Sequence, residues 1–67
     1  MNLDVNRLLL ILAQKEMSVG SLVKKANLPH NAISLYRRNG GHCRVETIGK
    51  IARVLEVPVE SLLKESS

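Results

Sequence analysis

Residues 27–41, NLPHNAISLYRRNGG, hold the densest set of side chains able to do chemistry. A turn signal and a proline lead in. His30, Asn31 and Ser34 follow, small hydrogen-bonding groups with Leu35 beside them; then come Arg37, Arg38 and Asn39-Gly40-Gly41. These groups donate and accept hydrogen bonds and carry positive charge. They do not make a catalyst, because the chain has no nucleophile–base–orienter set and no glycine loop for cradling phosphates. They do not make a metal centre either. His42-Cys43 would supply two ligands where zinc takes about four, and the chain has two histidines, one cysteine and scattered acids. No enzyme, cofactor, metal or small-molecule ligand is expected. The chemistry is that of recognition.

The elements that must hold this segment are helical. Tyr36 is the one aromatic residue, the apolar residues are aliphatic, and no alternating run reads as a strand. A chain of 67 residues is one domain, residues 1–67, burying only ~60% of its unfolded surface. Asp4 caps a first helix whose inner face is Val5, Leu8, Leu9, Leu12 and Ala13. Leu10 and Ile11 widen that face, either under a neighbouring helix or toward a partner. Ser18 caps a second, marked by Leu22, Val23 and Ala26, and Asn27 suits the left-handed residue that ends it. Pro29 opens a third helix, residues 29–38, with Ile33 and Tyr36 inward. His30, Asn31, Ser34, Leu35, Arg37 and Arg38 then lie mostly outward, and Asn39-Gly40-Gly41 stops the helix. A fourth spans about residues 44–56 and buries Val45, Ile48, Ile51, Ala52 and Leu55. After Pro58, the residues Val59, Leu62 and Leu63 mark a fifth, and residues 64–67 are expected to fray.

Charge separates along this order. The net charge is +4 and the isoelectric point about 9.7. Residues 24–53 hold seven Lys or Arg and one acid, Glu46; from residue 54 on, Glu56, Glu60 and Glu65 stand against Lys64. One face is therefore suited to a polyanion. A lone Cys43 allows no internal disulfide and fits a reducing compartment. The longest apolar run, LLLIL, has five residues, far short of the ~20 that span a bilayer. No membrane segment or secretory signal is read, and a cytoplasmic protein is expected.

The second and third helices, joined by a tight turn of three or four residues, read as a helix-turn-helix unit. The apolar positions such a unit needs are filled by Leu22, Val23, Ala26, Leu28, Ile33 and Tyr36. "SVGSLVKKANLPHNAISLYRRNGG" followed by "RVETIGKIARVLEVPVESLL" resembles the Cro/repressor-type helix-turn-helix family, the XRE-like class of phage repressors and bacterial regulators. The resemblance covers residues 8–63. It implies an all-α, five-helix, lambda-repressor-like DNA-binding domain whose helix-turn-helix is formed by helices 2 and 3. There are departures. Val19 replaces a usual Gln, Val23 an Ala, Asn27 a Gly and Pro29 a Ser. Leu12 and Arg37 stand where members often pair an Arg with a Glu.

In that family the third helix enters the major groove with its N-terminal residues on base edges. Carried over by position, the base contacts are His30, Asn31, Ser34 and Leu35: Asn31 to adenine N6 and N7, Leu35 on a thymine methyl. Phosphates would be held by Ser18 and Val19 at the start of helix two, by Arg37, Arg38 and Asn39, and by the N–H groups of Gly40 and Gly41. The resemblance further implies a repressor-like transcriptional regulator, homodimeric on double-stranded DNA. Its expected pairing surface is Val57, Val59, Leu62 and Leu63, with Leu10 and Ile11 as a second candidate. The rival reading is a protein-interaction module on the same fold, antitoxin-like or antirepressor-like, with weak or no DNA binding.

Overall fold

Asp4 and Ser18 start the first two helices as their positions predict. In this computed structural model, which describes residues 2–64, Asp4 Oδ1 accepts from the Arg7 N–H at 3.1 Å and opens α1, Val5–Gln14. Ser18 Oγ accepts from the Ser21 N–H at 3.1 Å and opens α2, Val19–Lys25. Such caps are worth about 1 kcal/mol each. α3 is Ala32–Arg38 and α4 is Val45–Leu55. A short 3-10 helix, Val59–Leu62, closes the described chain.

Larger stabilisation comes from burial. Leu3, Leu8, Leu22, Ile48, Ile51, Leu55 and Leu62 are fully buried in one cluster, and each such side chain contributes about 1.5–3 kcal/mol relative to exposure. α4 lies against α2 and the 3-10 helix; α1 lies against α3 and the 3-10 helix. Leu3 was invisible to helical periodicity because it precedes α1. It sits at N′ with Leu8 at N4, the two positions of a hydrophobic staple.

Leu3 belongs to a strap that ties the domain together. Its N–H donates to the Gly41 carbonyl at 2.7 Å, the Asp4 N–H to the Leu62 carbonyl at 2.7 Å, and the Lys64 N–H to the Asn2 carbonyl at 3.0 Å. Asn2 bridges His42 and Leu3 bridges Leu63. These isolated bridges are the only extended pairing among the described residues. Lys64, expected to fray, is instead held on both sides, its Nζ donating to the Gly40 carbonyl at 2.8 Å. The remainder of the expected frayed end lies outside the described residues.

All four helices end alike. Glu16, Asn27, Gly40 and Glu56 have φ of 53°, 57°, 78° and 57°. The following N–H groups return to carbonyls five residues back: Met17 to Leu12 (2.9 Å), Leu28 to Val23 (2.8 Å), Gly41 to Tyr36 (2.6 Å) and Val57 to Ala52 (3.1 Å). That is the 6→1 bond of the Schellman stop. Asn27 plays the part expected of it. Glu16 and Glu56 are the poor fits, since a side chain with Cβ costs about 1–2 kcal/mol in this conformation and their charge opposes the helix dipole. Glu56→Gly should stabilise the domain by about 0.5–1 kcal/mol after the glycine's larger unfolded-state entropy is subtracted. Thermal unfolding followed by circular dichroism should show a midpoint a few degrees higher; an unchanged or lower midpoint refutes it.

Five expectations change. Ala13, expected on the inner face of α1, is exposed. The fifth helix is a single 3-10 turn, because Leu63 turns extended (φ −88°, ψ 141°) to meet Leu3. α3 begins at Ala32 rather than Pro29. The Ala32 N–H donates to the Pro29 carbonyl at 3.0 Å, so Pro29 heads a lead-in turn. The link between α2 and α3 is consequently residues 26–31, six residues rather than three or four. Val45 is 54% exposed. At 100° per residue it lies roughly 70° off the direction shared by Ile48, Ile51, Ala52 and Leu55.

Candidate nucleic-acid interface

Burial decides which side of α3 is free. Ala32 and Ile33 are 2% and 4% exposed, and Tyr36 is half-buried against the core. Helical geometry then places Asn31, Ser34, Leu35 and Arg38 along the opposite side, and all four are exposed. His30 is exposed in the lead-in turn. The structure thus puts three of the four expected base-contacting residues, Asn31, Ser34 and Leu35, on one side of α3, with Leu35 48% exposed.

Asn31 is in the N-cap position yet makes no capping bond. A capping side chain needs extended backbone. Asp4 and Ser18 have it, with ψ of 93° and 158°. Asn31 sits at φ −98°, ψ 10°, because the Pro29 turn has already bent the chain. Its side-chain amide is therefore not used for capping. One edge of that amide carries a donor and an acceptor together, the pair that matches adenine N6 and N7.

The charged residues of this segment are of one sign. Residues 27–45 contain no Asp or Glu, while Arg37, Arg38 and Arg44 are all exposed. Arg38 lies on the outer strip. Arg37 lies on the flank toward α1, lining a cleft with Asp4, Asn6, Gly40 and Lys64.

The loop after α3 is organised by Asn39. Its Oδ1 accepts from the N–H groups of Gly41 (3.2 Å) and His42 (3.0 Å), and its Nδ2 donates to the His42 carbonyl at 3.2 Å. The side chain expected to hold a phosphate instead builds the turn. The Gly41 N–H, also expected at a phosphate, is taken by the Tyr36 carbonyl and Asn39, and Gly41 is buried. Gly40 stays exposed. The signal for this arrangement was present in the Asn-Gly-Gly order, since asparagine side chains bond backbone groups two or three residues on.

At the start of α2, Ser18 is exposed and Val19 is half-buried against the core, so only the Val19 backbone is suited to a polar ligand. Cys43 is half-buried, and burial raises its thiol above the ordinary value. Among the described residues no group of three His, Cys, Asp or Glu could hold a metal ion. No helix among them is long and apolar enough to cross a membrane.

The expected pairing surface is altered. Leu62 is 0% exposed and is a core residue; it presents nothing to a second copy. Val57, Val59 and Leu63 are half-buried. Val57 lines a groove with Arg7, Leu10, Ile11, Gln14 and Ser61, in which Leu10 is 66% exposed.

A family model, Cro/C1-type HTH DNA-binding domain, matches residues 7–64. The chain belongs to this family. No curated protein and no solved structure matches it significantly. The matched span of this Cro/C1-type HTH domain takes in α2, α3, the acid-free basic segment and the loop built by Asn39.

Proposed function

We propose that this Cro/C1-type HTH domain is a sequence-specific regulator of transcription, repressor-like, that docks α3 in the major groove of double-stranded DNA. α2 and α3 act as the helix-turn-helix, in a lambda-repressor-like domain whose last helix is reduced to a 3-10 turn. Asn31 carries the reading: its amide is unused by its own helix and lies on an outward strip with Arg38, in a segment, residues 27–45, that holds no acid. His30, Asn31, Ser34 and Leu35 meet base edges. Arg38, Arg37, the Gly40 backbone and the N-terminus of α2 at Ser18 and Val19 meet phosphates. One module of this kind covers about 600–1,000 Å², so tight binding calls for a homodimer on half-sites about one helical turn apart. Val57, which shares a groove with Leu10 and Ile11, forms its pairing surface with Val59 and Leu63.

The test is Asn31→Ala, compared with the parent in selection from a random duplex library. Preference at one base pair per half-site should relax by about 1–3 kcal/mol. The unfolding free energy should stay within about 0.5 kcal/mol of the parent, because no cap is lost. Unchanged preference at every position removes Asn31 from the interface. A protein-interaction module, antitoxin-like or antirepressor-like, is the second reading, favoured by the exposure of Leu10 beside Ile11 and Val57. No duplex binding at low salt, with a partner protein co-purifying, identifies that outcome.

A further inference from the structure

We infer that the α3 surface reads a methyl group at pyrimidine C5 through Leu35, and so accepts 5-methylcytosine as well as thymine at that point. The inference rests on the groove-docking reading and adds a chemical class of base to it. A single exposed leucine is ordinary on a protein surface, so its setting has to carry the case. Among the described residues the exposed large apolar side chains are Leu10, Leu35 and Val45. Leu10 is on α1 and Val45 opens α4. Leu35 alone is on α3, in the strip with Asn31, Ser34 and Arg38. It is outside the core cluster and 48% exposed, and its backbone is fixed by the bond from its N–H to the Asn31 carbonyl at 3.0 Å.

Charge complementarity selects the occupant. Residues 27–45 hold arginines and no acids, which favours a polyanion. In the major groove, base edges present donors and acceptors that leucine cannot use, and one apolar group, the thymine C5 methyl. Cytosine methylated at C5 carries the same group at the same place. Leu35 has no polar atom with which to sense the O4 of thymine or the N4 amine of cytosine. It therefore responds to the methyl alone.

The experiment first finds the base pair whose preference Leu35→Ala alters. Duplexes are then made with thymine, uracil, cytosine or 5-methylcytosine there, and binding is compared within the two pairs. For the parent, each methyl should raise affinity about fourfold per half-site, the worth of one buried methyl group. Leu35→Ala should remove both gains and leave the Asn31-dependent preference intact. Equal binding with and without the methyl, alongside a normal Asn31→Ala effect, overturns the methyl reading and leaves groove docking standing. Methyl gains that survive in Leu35→Ala assign them to another residue and overturn it too. No binding to any duplex by the parent ends both.

Discussion

Gly41→Ala is expected to abolish most of the domain's cooperative unfolding transition at room temperature. A methyl group added at Gly41 would overlap the Leu3 carbonyl oxygen and stand 3.0 Å from the Leu3 carbon and 3.1 Å from its nitrogen. These are backbone atoms and cannot rotate away. The strap that holds them is pinned at three points, by the Leu3 bond to Gly41, the Asp4 bond to Leu62 and the Lys64 bond to Asn2. If the strap retreats, the fully buried Leu3 side chain leaves the core, a loss of about 2–5 kcal/mol by analogy with truncating a buried leucine. The backbone at φ 90° adds about 1–2 kcal/mol for any residue with Cβ. Domains of this size rarely have more than about 3–5 kcal/mol in total. Gly40→Ala is the control. Gly40 also has positive φ, 78°, but nothing lies within 4 Å of its added Cβ. Only the conformational cost applies, about 1–2 kcal/mol, lowering the midpoint by about 4–8 °C per kcal/mol. If both variants melt alike, the Gly41–Leu3 approach is not what limits stability.

That junction also shows where the sequence was readable and where it was not. Features set by a few neighbouring residues were legible: the caps Asp4 and Ser18, the left-handed Asn27, and the inward phase of Ile33 and Tyr36. The outward strip on α3 follows from that phase, so the exposure of Asn31, Ser34, Leu35 and Arg38 was legible in the sequence. Features set by remote pairing were not. Leu3 gains its place from Gly41 and Leu63, far along the chain, and nothing in its own neighbours marks that. The spacing of Val59, Leu62 and Leu63 fits the start of an α-helix and of a 3-10 turn equally well. The bridge from Leu63 to Leu3 decides between them, and it sends Leu62 into the core instead of to a pairing surface. Asn39 misled for a different reason. An asparagine after a helix can meet a ligand or fold back on its own loop, and only the positions of Gly41 and His42 distinguish the two.

Raising salt from 50 to 200 mM should weaken binding to a selected duplex by about a thousandfold. The estimate counts charged phosphate contacts. If Arg37, Arg38 and Arg44 each meet one phosphate, a dimer makes about six, and log affinity falls with log salt at about −0.9 per contact. The three arginines are exposed and no acid lies among them, so intramolecular pairing does not reduce that number along their own segment. Arg38→Ala should weaken every duplex to a similar degree and lower the slope by about 1 per copy. Asn31→Ala should leave the slope unchanged while altering preference, because it touches a base and carries no charge. Lys24 and Lys25 separate this docking from simple attraction to a basic surface. Both are exposed in the last turn of α2, away from the helix start that the docking puts against DNA, so Lys24→Ala should not move the slope. A slope that responds to Lys24→Ala and ignores Arg38→Ala would place the polyanion on the far side of α2, and α3 would not be the element in the groove.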